Sequence, residues 1–244
     1  MNLDFDYKIY QLKNYLNEDD FNTFGEKVKT FDVNLNEIKS TLGFLSWSDK
    51  VKEKVNELDS KRFIDIIERQ YITFNDFKFL SDLNEKYNFN DEDYFNFFLT
   101  YTNESFKRAG IYEYIKKSYI NILYDLFGKK IKKEFEETLI GNINIYPKNS
   151  FIRKHQDNDP DGQRLFTILF FLNSDRTKEQ GSLLKIYNQN SEIEILPSYE
   201  YCVVLEHQKH NLVHEVTLNL SEDVRYSIYS PFTIKDYEEK LIHN

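Results

Sequence analysis

All four prolines of this 244-residue chain, Pro147, Pro160, Pro197 and Pro231, lie after residue 145. Proline removes a backbone donor and clashes with the preceding helical turn. A long proline-free stretch is therefore open to helices, while the remainder is punctuated for shorter elements. Apolar spacing in the first part agrees with this. Phe63, Ile66 and Ile67 fall on one face of Ser60–Tyr71. Between Phe106 and Phe127, Ile111, Ile115, Tyr119, Ile122, Leu123 and Leu126 recur at threes and fours. Asn90 ahead of Asp91-Glu92-Asp93 forms an N-cap with acids in the first turn, and Thr73 with Asp76 forms a second capping signal. Five to seven helices are expected before residue 137.

After Glu137 the pattern shortens. Leu139–Tyr146 alternates, with Ile143 and Ile145 facing one way, and Leu165–Leu172 is a dense apolar run suited to a buried strand. Leu183–Tyr187, Glu192–Leu196, Tyr201–Leu205, His214–Leu220 and Arg225–Tyr229 follow at near-regular spacing between turn residues. Such spacing predicts a sandwich or barrel. The expected organisation is a helical N-terminal part over 1–137 packing on a barrel core over 138–234, with a C-terminal tail over 235–244.

Composition narrows the function. With 32 basic and 41 acidic side chains the formal charge is 32 − 41 = −9, which argues against a nucleic-acid binder needing a basic face. Hydrophobic residues at 40% exceed what a disordered chain carries. The single cysteine, Cys202, fits a reducing compartment and reads as a small buried hydrophobe. The N-terminus lacks a long apolar run, and no stretch reaches the roughly 18 apolar residues of a membrane helix. A soluble, cytoplasmic protein is expected, with no membrane or nucleic-acid partner.

Three features could carry chemistry. In His155-Gln156-Asp157 the outer residues are two apart, so a strand would aim imidazole and carboxylate at one point. His214 follows in His214-Glu215-Val216, and Arg225 stands on the next predicted strand. Two histidines and one carboxylate on one face of a metal leave three positions open, as in non-haem Fe(II) oxygenases. A nearby arginine gives bidentate recognition of a carboxylate, such as that of a 2-oxo acid. Taken alone, His-x-Asp is often a surface histidine beside an acid, and its neighbours carry the weight.

Those neighbours are Tyr146-Pro147-Lys148-Asn149, Gly162-Gln163-Arg164-Leu165-Phe166-Thr167, Phe170-Phe171-Leu172-Asn173, Gly181-Ser182-Leu183-Leu184, Pro197 and Arg225-Tyr226-Ser227-Ile228. In that order, over about residues 140–232, the chain resembles the Fe(II)/2-oxoglutarate dioxygenases of the prolyl 4-hydroxylase type, most of all the hypoxia-inducible-factor prolyl hydroxylase branch. The resemblance implies an α+β protein whose core is a double-stranded β-helix, a jelly-roll or cupin-like barrel preceded by a helical layer. It implies that His155, Asp157 and His214 hold the iron and are the catalytic centre. It implies that Arg225 pairs with the distal carboxylate of 2-oxoglutarate, that Tyr146 bonds the co-substrate near its chelating end, and that Thr167 lines the same pocket.

The chain departs from the family pattern at three points. Phe171 stands where a tyrosine would add a hydroxyl near the distal carboxylate, Gly181-Ser182 replaces paired glycines, and Ser198 replaces a glycine after Pro197. His207, His210 and His214 compete for the distal ligand position. A helical His210/His214 zinc pair is rejected because the flanks read as strands, and His214 is preferred because His-Glu-Val with the later arginine matches the family. His207 and His210 then read as loop residues and His243 as solvated. Asp159 and Asp161 read as turn residues, Lys129-Lys130 and Lys132-Lys133 as a solvated helix end, and Trp47 and the segment 94–101 as core.

The resulting expectation is an Fe(II)/2-oxoglutarate-dependent hydroxylase using O2, with ascorbate as accompanying reductant. Its substrate would be an amino acid or small peptide-like molecule oxidised at an aliphatic carbon, with succinate and CO2 as co-products. The alternatives are a prolyl hydroxylase acting on a protein and a catalytically silent barrel used as a binding module. Asp157 argues against halogenation, which needs that position free, and no general base supports a metal hydrolase.

Overall fold

The computed structural model describes all residues except 1–4, 38, 42–44, 48–52, 70, 88–93, 98, 102–106, 108, 158–162, 189–190, 208–211 and 244. Two antiparallel sheets face each other. The major sheet has six strands in the order β1 (Tyr7–Gln11), β12 (Tyr201–Glu206), β9 (Arg164–Phe171), β14 (Arg225–Thr233), β7 (Asn142–Tyr146) and β6 (Leu99–Tyr101). The minor sheet runs β11 (Ser191–Ile195), β10 (Leu184–Asn188), β13 (Val213–Val216) and β8 (Ile152–Gln156). Two small ladders, β2 (Lys39–Thr41) with β4 (Tyr71–Thr73) and β3 (Leu45–Trp47) with β5 (Tyr94–Phe97), complete the strands.

The dense run at β9 is buried on both faces because it lies between two layers. Its outward side chains Phe166, Ile168 and Phe170 join the cluster built by the helices. Its inward side chains Leu169 and Phe171 join Leu184, Ile186, Ile195, Val203 and Leu205 between the sheets. Each such side chain contributes about 1.5–3 kcal/mol by leaving water. Aromatic packing welds the outer layer. Phe166 and Phe232 stack with centroids 5.1 Å apart, and Phe127 contacts each at 5.7 Å.

The layer over the major sheet consists of α1 (Glu18–Lys29), α2 (Glu57–Glu68), α3 (Phe74–Tyr87) and α4 (Tyr112–Phe127). Asn17 caps α1 by accepting the Asp20 amide at 2.8 Å, ahead of three acids in the first turn. Thr73 and Asp76 exchange bonds at the start of α3, as their spacing predicts. Gly128 ends α4 in the left-handed conformation, φ 64°. No helix among the described residues is long and apolar enough to cross a membrane.

Four α-helices with described bounds precede residue 137, and Glu53, Lys54 and Lys107 are helical as well. Two expectations change. Strands are not confined to the region after Glu137, because β1 pairs with β12 and β6 pairs with β7 at the two edges of the major sheet. Both are too short for alternation to stand out, and the open edges of β12 and β7 supply what their sequences lack. The segment read as a tail is a helix, α5 (Ile234–Lys240), boxed by Thr233 and Asp236, and Leu241 beyond it is fully buried.

Candidate metal centre and co-substrate pocket

The minor sheet brings two histidines face to face. β13 pairs with β8 so that His214 lies opposite His155, with ring centroids 4.3 Å apart, and a bulge follows between His214 and Val216. Asp157, just past the end of β8, places Oδ1 3.3 Å from His155 Nε2 and Oδ2 3.9 Å from His214 Nε2. One donor atom from each of the three residues lies within 4.8 Å of the others, so the group could hold a metal ion. Both rings are prepared for it. His155 Nδ1 lies 2.6 Å from the Arg153 carbonyl and His214 Nδ1 3.3 Å from that of Leu212. A proton on each Nδ1 leaves the Nε2 lone pairs directed at the common point.

Electrostatics suit a cation here. Burial opposes the charge on Asp157, but the His155 hydrogen bond and the neighbouring His214 and His207 outweigh it and hold the carboxyl well below its usual range. Burial pushes His214 down to about 4. Burial acts the same way on His155, but bonds to Asp157 and the Arg153 carbonyl reverse the sign and raise it. The His155 side chain is 28% exposed and that of His214 8%, so His155 is the more solvent-reached of the two histidines.

Arg225 opens β14 and points between the sheets, opposite Tyr146 on β7. It is only 1% exposed, with its guanidinium carbon 4.6 Å from the Tyr146 ring centroid and 5.5 Å from that of Phe171. Its Nε and Nη1 have no hydrogen-bond partner among the described residues, and no carboxylate there acts on it. Burial lowers it to about 10. An unpaired buried cation costs several kcal/mol, an expense a native fold seldom carries without a ligand to offset it. Thr167 is fully buried on the inner face of β9. Phe171, where the hydroxyl is missing, is fully buried beside Arg225 and meets Tyr201 edge-on at 6.0 Å.

The structure adds residues that the sequence left aside. His207, read as a loop residue, lies 3.0 Å from Thr167 Oγ1 and 3.4 Å from Asp157 Oδ2 through Nε2. Its signal was the inward alternation Val203, Leu205, His207 continued one step past β12. Arg164 Nη1 is 3.3 Å from the same carboxylate oxygen, and its guanidinium carbon is 5.7 Å from the Tyr229 ring. Lys185 turns outward to Glu192 and Glu194, and Cys202 is buried. Asn90, Asp159, Asp161 and His210 lie outside the described residues, as do the side chains of Trp47 and of 94–101.

Residues 141–231, the barrel with its facing histidines, match the family model of the 2OG-Fe(II) oxygenase superfamily. The likeness is to the conserved barrel of that superfamily over this segment, and the chain shares its double-stranded β-helix fold with a solved prolyl hydroxylase. Among solved structures it is similar to a prolyl hydroxylase from Trichoplax adhaerens, held in complex with a hypoxia inducible factor oxygen degradation domain peptide fragment. That likeness has a TM-score of 0.55 at 14% identity, over 95% of this chain and 84% of the other. It is also similar to a prolyl-4-hydroxylase from Pseudomonas putida, with a TM-score of 0.47 at 14% identity over 93% and 92% of the two chains. No curated protein sequence matches it.

Proposed function

We propose that the chain hydroxylates an aliphatic carbon of an amino acid or small peptide-like substrate, with Fe(II) held by His155, Asp157 and His214 and with 2-oxoglutarate as co-substrate. The observation that carries this is Arg225: a buried guanidinium with two unpartnered nitrogens, on the inner wall of a barrel that also holds a His-Asp-His cluster. A dicarboxylate has one group for the arginine and one end for a metal. When bound, iron, O2 and 2-oxoglutarate supply the oxidising chemistry, releasing succinate and CO2 and adding one oxygen atom to the substrate.

The chain's own groups bind and orient. Arg225 receives the distal carboxylate in charge-assisted bonds, and the Tyr146 ring beneath it fixes the guanidinium plane. Thr167 lines the same inner face. The apolar side chains Leu169, Phe171 and Val203 keep water from the pocket.

Incubation with Fe(II), ascorbate and 2-oxoglutarate, followed by a succinate assay and a screen of the free amino acids, tests the proposal. A metal-binding measurement alongside separates an idle enzyme from an empty barrel. The second reading, a prolyl hydroxylase acting on a protein, is favoured by the shared fold with the Trichoplax enzyme and its peptide. Turnover of no amino acid, together with iron-dependent gain of one oxygen mass on a proline-containing protein, would establish it instead.

A further inference from the structure

We propose that Asn219 is a positioning residue that fixes Arg225 for the distal carboxylate of the co-substrate. The inference rests on the reading above, in which Arg225 takes that carboxylate. Arg225 and Tyr146 form the end pair of the β7–β14 ladder, the first residue of one strand opposite the last of the other. End pairs have neighbours on one side only and open most easily. The Arg225 Nε and Nη1 lack partners, so they do not anchor the side chain. Bidentate recognition of a carboxylate needs its donors in a fixed plane. The backbone at the ladder end has to supply that constraint.

One side-chain amide bridges the two strands there. Asn219 is fully buried. Its Nδ2 donates to the Tyr146 carbonyl at 2.8 Å and to the Asp223 carbonyl at 3.0 Å, so one bond goes to each side of the ladder end. Its Oδ1 accepts from Arg176 Nη2 at 2.9 Å and from the Ser221 amide at 3.3 Å. Both donors and both lone pairs of the amide are used, and the reverse orientation would set its oxygen against two carbonyls. The buried Arg176 backs the clamp by donating Nη1 to the same Asp223 carbonyl at 3.0 Å. The Asn219 backbone is held in turn. Its N–H donates to the Ser150 carbonyl at 2.9 Å, and its carbonyl accepts from the Asn149 amide at 2.8 Å. The turn after β7 and the approach to β14 are thereby tied to one buried residue. None of these bonds involves His155, Asp157 or His214, so the clamp serves the arginine and not the metal ligands.

The test uses Asn219→Asp, which keeps the shape and the acceptor for Arg176 but loses both donors. Calorimetry measures Co(II) affinity, then 2-oxoglutarate affinity of the Co(II)-loaded protein, with circular dichroism as the check on folding. The variant is expected to bind 2-oxoglutarate roughly five- to fifty-fold more weakly, with Co(II) affinity within about threefold of the wild type. In an Arg225→Met background the same substitution is expected to change 2-oxoglutarate affinity no further, because its effect runs through that arginine. If the aspartate variant does not fold, Asn219→Ser takes its place. Unchanged 2-oxoglutarate affinity overturns the inference. Equal loss of Co(II) and 2-oxoglutarate affinity also overturns it, since a general loosening of the barrel would give that result. A further loss in the Arg225→Met background overturns it as well. Wild-type protein that binds Co(II) but not 2-oxoglutarate, or Arg225→Met with wild-type affinity, would instead overturn the reading of Arg225 and this inference with it.

Discussion

Arg225 and Tyr146 stand opposite each other across the β7–β14 ladder, the guanidinium carbon 4.6 Å from the ring centroid. The arginine has an aromatic floor but no counter-ion among the described residues. Such a group is poised for a ligand and weakens the fold until one arrives.

Arg225→Met is therefore expected to act in opposite directions on stability and on function. The ligand-free protein loses a buried charge and melts no lower than the wild type. The 2-oxoglutarate requirement rises by roughly ten- to a hundred-fold, the equivalent of about 1.5–3 kcal/mol of charge-assisted bonding. Thermal melting and the KM for 2-oxoglutarate measure the two effects. An unchanged KM would mean that another group holds the co-substrate, and Lys185, turned outward to two glutamates, is not placed to do so.

His155→Ala and His214→Ala are both expected to abolish metal-dependent succinate formation. They differ in stability. His155 is part-exposed and its truncation is nearly free. His214 is buried at the ladder, so its loss leaves a gap and costs about 0.5–3 kcal/mol. Near-wild-type succinate from either variant would remove that histidine from the centre.

Metal affinity is expected to fall in acid because of His155. Its pKa is raised, so below that value the folded, metal-free protein carries a proton on the ring, and a metal must displace it. Affinity then drops about tenfold per pH unit, the slope for one proton. His214, already down to about 4, stays neutral over this range and adds nothing. Co(II) titrations across the range give the slope, and a flat profile would contradict the assignment.

Phe171→Tyr restores the hydroxyl that the family pattern has. Phe171 is fully buried with its ring 5.5 Å from Arg225, whose Nε and Nη1 lack partners, so the new oxygen has a donor at hand. The variant is expected to fold and to keep the 2-oxoglutarate KM at or below the wild-type value. A markedly raised KM would show that the space beside the ring is needed for the carboxylate.

Much of this was legible in the sequence. The spacing of His155 and Asp157 and the run at β9 speak through period two and through apolar density, signals that survive without tertiary context. Strand ends are weaker signals: β13 stops at Val216, short of the expected Leu220, and β14 continues from Tyr229 to Thr233. β1 and β6 could not be read at all, since an edge strand of three to five residues owes its form to its neighbour's unpaired backbone. His207 was hidden because its inward direction depends on a register one residue longer than its strand.

The pairing of β1 with β12 also bears on how the molecule is made. Tyr7 meets Leu205 and Gln11 meets Tyr201, so a strand that leaves the ribosome early finds its place only after most of the chain has followed. His207, which meets Thr167 across the ladder, lies just past β12. Closing so large a loop is slow, and β12 offers an open edge until it happens. A deletion reaching β1 would leave the β12 edge unpaired and open to pairing with another chain.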